Sequence, residues 1–274
     1  MAKIIGEPGR LAARQAVKKI KQMFLASSLS IGSMALLAGF SLCLALQAHL
    51  LPWQVAFAEI VMFGIIAYWV CQWISRSINH YDQERIRWRK AALGESAVGV
   101  ILESLPDDCV VFNDLRTVSG NIDHVVIAPT GIFVIDTRNW RGVVTPDGRG
   151  ELLCNGKTSG RNEVKKLLLS ITSLREKINL LTRREDFIQG ILAFPLARVE
   201  ARWGATRNAH CLTDEGIPDY IRKYNFSCRL KKGEIELIEK AFHALSGLES
   251  GFDPAEGGLT MLPVSKETQR SSQE

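Results

Sequence analysis

GNIDHVVIAPTGIFVIDTRNWRG, residues 120–142, is two apolar arms about a turn. Pro129 presets one central φ of Ala128-Pro129-Thr130-Gly131 and Gly131 accepts the conformation that closes the loop. The arms, rich in Val, Ile and Phe, are expected as strands of an internal sheet. A hairpin folded between Pro129 and Thr130 pairs Val125 with Val134 and Ile127 with Ile132, and sets Asp123 opposite Asp136. Side chains alternate faces along a strand, so Asp123, Val125 and Ile127 share a face with Ile132, Val134, Asp136 and Arg138. Opposed like charges are unfavourable, by about 4 kcal/mol at ~4 Å and an effective dielectric of ~20. A cation is therefore expected there, either a divalent metal or Arg138 itself.

Two apolar runs lie upstream. Phe24 to Gln47 has no charged side chain and Trp53 to Ile74 has only Glu59, and a helix needs roughly 20 residues to cross a bilayer. The first run is too long for the core of a cleaved signal peptide. Basic residues precede the first run (Lys3, Arg10, Arg14, Lys18, Lys19, Lys21) and follow the second (Arg76, Arg85, Arg87, Arg89, Lys90), and the connector 48–52 has none. The positive-inside bias then puts both termini in the cytoplasm, on the inner membrane of a prokaryote, with contacts to membrane lipid through the two spans. Trp53 at one interface and Tyr68, Trp69 and Trp73 at the other form an aromatic belt. Glu59 is ionisable inside a span, yet two spans and one carboxylate make a poor transport pathway.

The formal charge of +5 does not belong to the soluble part, because residues 91–274 hold 23 basic and 25 acidic side chains. The excess positive charge flanks the spans, where anionic lipid attracts it. Within the soluble part, 157–207 is locally basic and could track phosphates, although a solvated helix face accounts for it equally simply. Six cysteines without CxxC or zinc spacing are expected as free thiols in a reducing compartment.

The remaining pattern predicts a basic segment over 1–23, spans at 24–47 and 53–74, a helical linker over 75–92, a folded domain over 93–248 and a disordered tail over 249–274. Gly94-Glu95 opens a helix with Val98, Ile101, Leu102 and Leu105 on its apolar face. A strand at 109–113 and a loop at 114–120 lead into the hairpin. Short strands follow at 142–145 and 151–154, then a helix at 162–181, strands at 188–194 and 210–212, and helices at 218–224 and 232–248.

Gly94-Glu95, a helix and strand, and then GNIDHVVIAPTGIFVIDTRNWRG resemble the nuclease-related domain, a branch of the PD-(D/E)XK nucleases. The clear match covers about 91–145. The resemblance implies an α/β fold, a restriction-endonuclease-like mixed sheet flanked by helices, here preceded by an α-helical transmembrane hairpin. By position it makes Glu95 the helical carboxylate, Asp123 the metal-binding aspartate, Asp136 the second strand carboxylate and Arg138 the occupant of the lysine position. Glu95, Asp123 and Asp136 would hold Mg²⁺ or Mn²⁺, which clustered oxygen ligands suit. The implied activity is metal-dependent phosphodiester hydrolysis of DNA. Arginine, with a pKa above about 12, cannot exchange a proton with water. An Arg138 turned to substrate therefore fits an enzyme. An Arg138 bridging the two aspartates fits a degenerate domain that binds nucleic acid or a protein partner in a membrane assembly. His124 falls on the opposite face and is expected as a satisfied buried residue, with Asn139 and Trp140 as turn and packing residues.

Overall fold

A computed structural model describes residues 1–47, 53–117, 120–201, 209–224 and 229–250. The turn forms at Pro129-Thr130, between β3 (Gly120–Ala128) and β4 (Gly131–Thr137), with Gly131 at φ +139°. Its register runs through Val125↔Val134 and Ile127↔Ile132, as the apolar alternation predicts.

Around this hairpin the sheet has six strands in the order β1-β2-β3-β4-β8-β10. These are β1 (Lys3–Ile5), β2 (Val110–Thr117), β8 (Ile188–Ala193) and β10 (Ala209–Leu212) beside β3 and β4. β2, β3 and β4 are antiparallel, while β1, β8 and β10 join in parallel, so the sheet is mixed. Period-two alternation gives it two apolar faces. Val125, Ile127, Ile132 and Val134 pack with Leu167, Ile171 and Leu174 of α3 (Glu163–Thr182) and Phe242 of α5 (Lys232–Ser250). Val126, Phe133 and Ile135 pack with Val98 and Leu102 of α2 (Trp53–Leu102) and Ile221 of α4 (Ile217–Lys223). The mixed α/β architecture is as expected.

A second sheet, in the order β7-β6-β5-β9, was not expected. It comprises β5 (Gly142–Pro146), β6 (Leu152–Cys154), β7 (Lys157–Thr158) and β9 (Ala197–Val199). Two- and three-residue strands carry no readable period.

The N-terminal third differs from the sequence expectation in two ways. Residues 1–23 are not a separate basic segment. Lys3–Ile5 is an edge strand paired with Val110–Phe112, and α1 (Arg10–Gln47) starts well before the apolar run. Nor is 75–92 a linker between a span and a domain beginning at 93. α2 continues without a break from the second apolar run through Glu95 to Leu102, about 75 Å at ~1.5 Å per residue. Nothing in 75–102 breaks it, since Gly94 and Gly99 are tolerated where neighbours pack closely. A Cβ on Gly99 would lie 2.6 Å from Pro8, so the turn ahead of α1 is wedged onto α2. Likewise β2 extends to Thr117, into the expected loop.

Two helices, α1 and α2, are long and apolar enough to cross a membrane. Leu25, Leu29, Leu36, Trp53 and Trp69 are largely exposed, which a core helix of a soluble protein would not tolerate. Beyond the apolar runs the two helices are tied by an ion pair of Lys19 Nζ with Glu84 Oε2 at 2.7 Å. The connector 48–52, the Glu59 side chain, Cys228 and residues 251–274 lie outside the described residues. Cys43, Cys71, Cys109, Cys154 and Cys211 are free thiols.

Candidate acidic site at the end of the central hairpin

The β3–β4 ladder ends at His124↔Ile135, and from there side chains take over. The Thr137 N–H donates to Asp123 Oδ2 at 2.7 Å, so the carboxylate replaces the next backbone rung, while the Arg138 N–H continues the other edge by donating to Ala193 O at 2.8 Å. Asp123 and Asp136 are thereby buried at the end of the sheet. Glu95 arrives from α2, which is fixed over the same end because Asn139 Nδ2 donates to Lys90 O. Its Oε2 is buried with no hydrogen-bond partner.

Arg138 pairs with only one of the two aspartates. Its Nη2 bonds Asp136 Oδ2, its Nε donates to Glu163 Oε2 at 2.7 Å, and its Nη1 donates to Thr137 O at 2.9 Å. The guanidinium thus faces neither open solvent nor both aspartates. Its second partner, Glu163, is a site residue that the sequence reading did not find. Glu163 is the first residue of α3, and that helix start is set from a distance. Glu151, beside β6, accepts the backbone N–H groups of Val164 and Lys165 at 3.0 and 2.9 Å, a cap that satisfies two orphan donors. Asn162 makes no side-chain cap.

Asp114, the second missed residue, lies between the pairs Asn113↔His124 and Leu115↔Ile122, hence across from Asp123. It adopts φ +54°, a conformation that aspartate tolerates better than most residues. Its Oδ2 accepts the N–H of Leu11 and its Oδ1 accepts from Asn121.

The electrostatics follow from burial. Desolvation, then the charges of Asp114 and Asp136, push Glu95 up to about 7 against the pull of Arg138. Asp123 is raised well above the usual carboxylate range by burial first and then by Asp136 and Glu95. Burial would lower Arg138, but Asp136 and Glu163 more than offset it and hold the guanidinium charged. His124 is neutral, driven down to about 4 by burial against the attraction of Asp136. Its Nδ1 donates to Asn113 Oδ1 at 2.8 Å, because Asn113 Nδ2 is already donating to Gly6 O. It is a buried residue of the layer behind the site, and Trp140 packs on Phe194.

The donor set suits a hard divalent cation in kind: oxygen only, with an excess of negative charge and one orphaned carboxylate oxygen. Among the described residues no three His, Cys, Asp or Glu side chains enclose a common point. Magnesium is often held by one or two carboxylates with water and substrate phosphate completing its shell, so the arrangement remains compatible with the ion.

A mixed sheet whose central antiparallel pair ends in buried carboxylates, with a further carboxylate from the preceding helix, defines a nuclease-like α/β domain. Residues 90–195 match the family described as the nuclease-related domain (NERD), and the chain carries such a domain there. No curated protein and no solved structure matches the chain.

Proposed function

We propose that this protein is a membrane-anchored, cytoplasm-facing enzyme whose nuclease-related domain hydrolyses phosphodiester bonds of DNA with Mg²⁺ or Mn²⁺. The observation that supports this reading best is the uncompensated pair Glu95 and Asp123, two buried carboxylates with raised pKa values and no cation of the chain bonded to them. Asp123 and Glu95, with Asp136 at the edge, would hold the ion, which would polarise the phosphate and activate water. Glu95, with a pKa of about 7, is suited to take a proton at Oε2 near neutral pH. Asp123 is oriented by the Thr137 N–H. Arg138 neutralises Asp136, which keeps the acidic floor from repelling a phosphodiester. The exposed apolar faces of α1 and α2 support the anchor, and the basic flanks support the orientation.

A second reading is a degenerate domain that binds nucleic acid or a membrane-assembly protein without cutting. One observation favours it: all three Arg138 nitrogens are committed within the chain, so the side chain at the lysine position is not free to meet substrate. The two are separated by incubating the full chain in nanodiscs with DNA and Mg²⁺ or Mn²⁺. Cleavage lost in Asp123→Asn supports hydrolysis. Cleavage seen only after Arg138→Lys supports the degenerate reading. Absence of cutting in both, with no metal-dependent rise in melting temperature, would overturn hydrolysis.

A further inference from the structure

The basic residues ahead of the first apolar run do not all sit at the membrane. Arg10 and Arg14 are in the first turns of α1, and Phe24 opens the apolar run. At ~1.5 Å per residue they stand about 21 and 15 Å along the helix from that run. The headgroup layer is only about 5–8 Å thick on each side. The remaining gap equals or exceeds the Debye length of about 8 Å at physiological salt, so a lipid surface hardly attracts them. Lys18 and Lys21, nearer the run, are within reach of headgroups.

Arg10 and Arg14 are instead neighbours at i and i+4 on one side of α1. With Arg116 and Asp114 of β2 they line an open cleft of about 280 Å³. Both are exposed and have no carboxylate partner among the described residues. Asp114 does not cancel them, because one of its oxygens is held by the Leu11 N–H and the other by Asn121. The α1 N-terminus adds partial positive charge at the same place. Since Asp114 also stands across from Asp123, the cleft and the acidic site share a wall.

From this placement we infer that the Arg10–Arg14–Arg116 cleft is a subsite for a backbone phosphate of a nucleic-acid strand whose neighbouring phosphates run into the acidic site. This rests on the nucleic-acid reading of the domain. It gives the edge strand and the wedged turn at Pro8 a purpose beyond anchoring, since they fix the start of α1 against β2.

The test is fluorescence anisotropy of a short labelled DNA, single-stranded and duplex, with the full chain in phosphatidylcholine nanodiscs across a salt series. Arg10→Ala with Arg14→Ala is expected to weaken binding about tenfold irrespective of sequence, and to reduce the slope of log K against log salt by about 1.4 on single strands or 1.8 on duplex. Arg10→Lys with Arg14→Lys is expected to keep the slope. Circular dichroism checks that the variants are folded, which their exposure predicts. No DNA binding by the parent chain, an unchanged slope in the alanine pair, or an equal loss from Lys165→Ala with Lys166→Ala on α3 would overturn the inference. An effect seen only when anionic lipid replaces phosphatidylcholine would reassign the cleft to lipid and overturn it too. A parent chain that binds but never cuts leaves the subsite standing and removes only hydrolysis. Metal-dependent cutting unaffected by the alanine pair does the reverse.

Discussion

Asp136 and Asp123 come from adjacent strands of one hairpin and are equally buried, yet they are compensated differently. Asp136 is bonded by Arg138, which Glu163 holds from the other side. Asp123 has a single backbone N–H, and its neighbour Glu95 has an oxygen with nothing. One half of the acidic site is therefore neutralised by the chain, and the other half is left to protons or to an ion from outside. A lone arginine can satisfy two carboxylates but not four, so a cation at the lysine position does not by itself close the site.

The largest effect should come from breaking the closed half. Arg138→Met leaves Asp136 and Glu163 buried without a counter-charge, and the expected loss of stability is about 3–5 kcal/mol by thermal or denaturant unfolding. Glu163→Gln keeps the Asp136 pair and should cost clearly less. If the two substitutions cost the same, the guanidinium is not shared as described.

The register of the hairpin, the common face of Asp123 and Asp136 and the burial of His124 were legible because strict alternation over seven or more residues admits one pairing. Glu163 was not legible, since its place depends on Glu151 capping a helix from another sheet, a contact without local periodicity. Asp114 was read as the start of a loop, as a left-handed aspartate inside a strand gives no apolar signal. The basic N-terminus was read as a tail because three residues, Lys3–Ile5, are too few to show a strand. The same misreading would have placed the domain boundary at 93 and removed both the edge strand and the turn packed on Gly99.

The open half should show itself in pH dependence, with a somewhat smaller effect. Glu95 is raised from 4.5 to about 7, so between those values the folded protein keeps a proton that the unfolded chain has released. Its contribution to stability is whole below about 4.5 and is lost as pH rises through about 7, a difference on the order of 3 kcal/mol. Glu95→Gln cannot ionise and should gain on the parent chain as pH rises from 4.5 to 8, with the two nearest in stability at the acid end. A difference that stays constant over that window would mean that Glu95 is not held protonated by its neighbours.

The smallest effect is the one most specific to the open half. A divalent ion bound by Glu95 and Asp123 must displace the proton that Glu95 carries below about 7, so its affinity should fall roughly tenfold per pH unit beneath that value and level off above it. At ten times the dissociation constant such an ion stabilises the folded state by about 1.4 kcal/mol. Mn²⁺ should therefore raise the melting temperature of the full chain at pH 8 and do so far less at pH 6. Asp123→Asn should remove the shift at both values, whereas Glu163→Gln should leave it in place because Glu163 belongs to the half that Arg138 closes. A shift that survives Asp123→Asn, or that vanishes with Glu163→Gln, would place the ion on the wrong side of the guanidinium and reverse the division between the two halves.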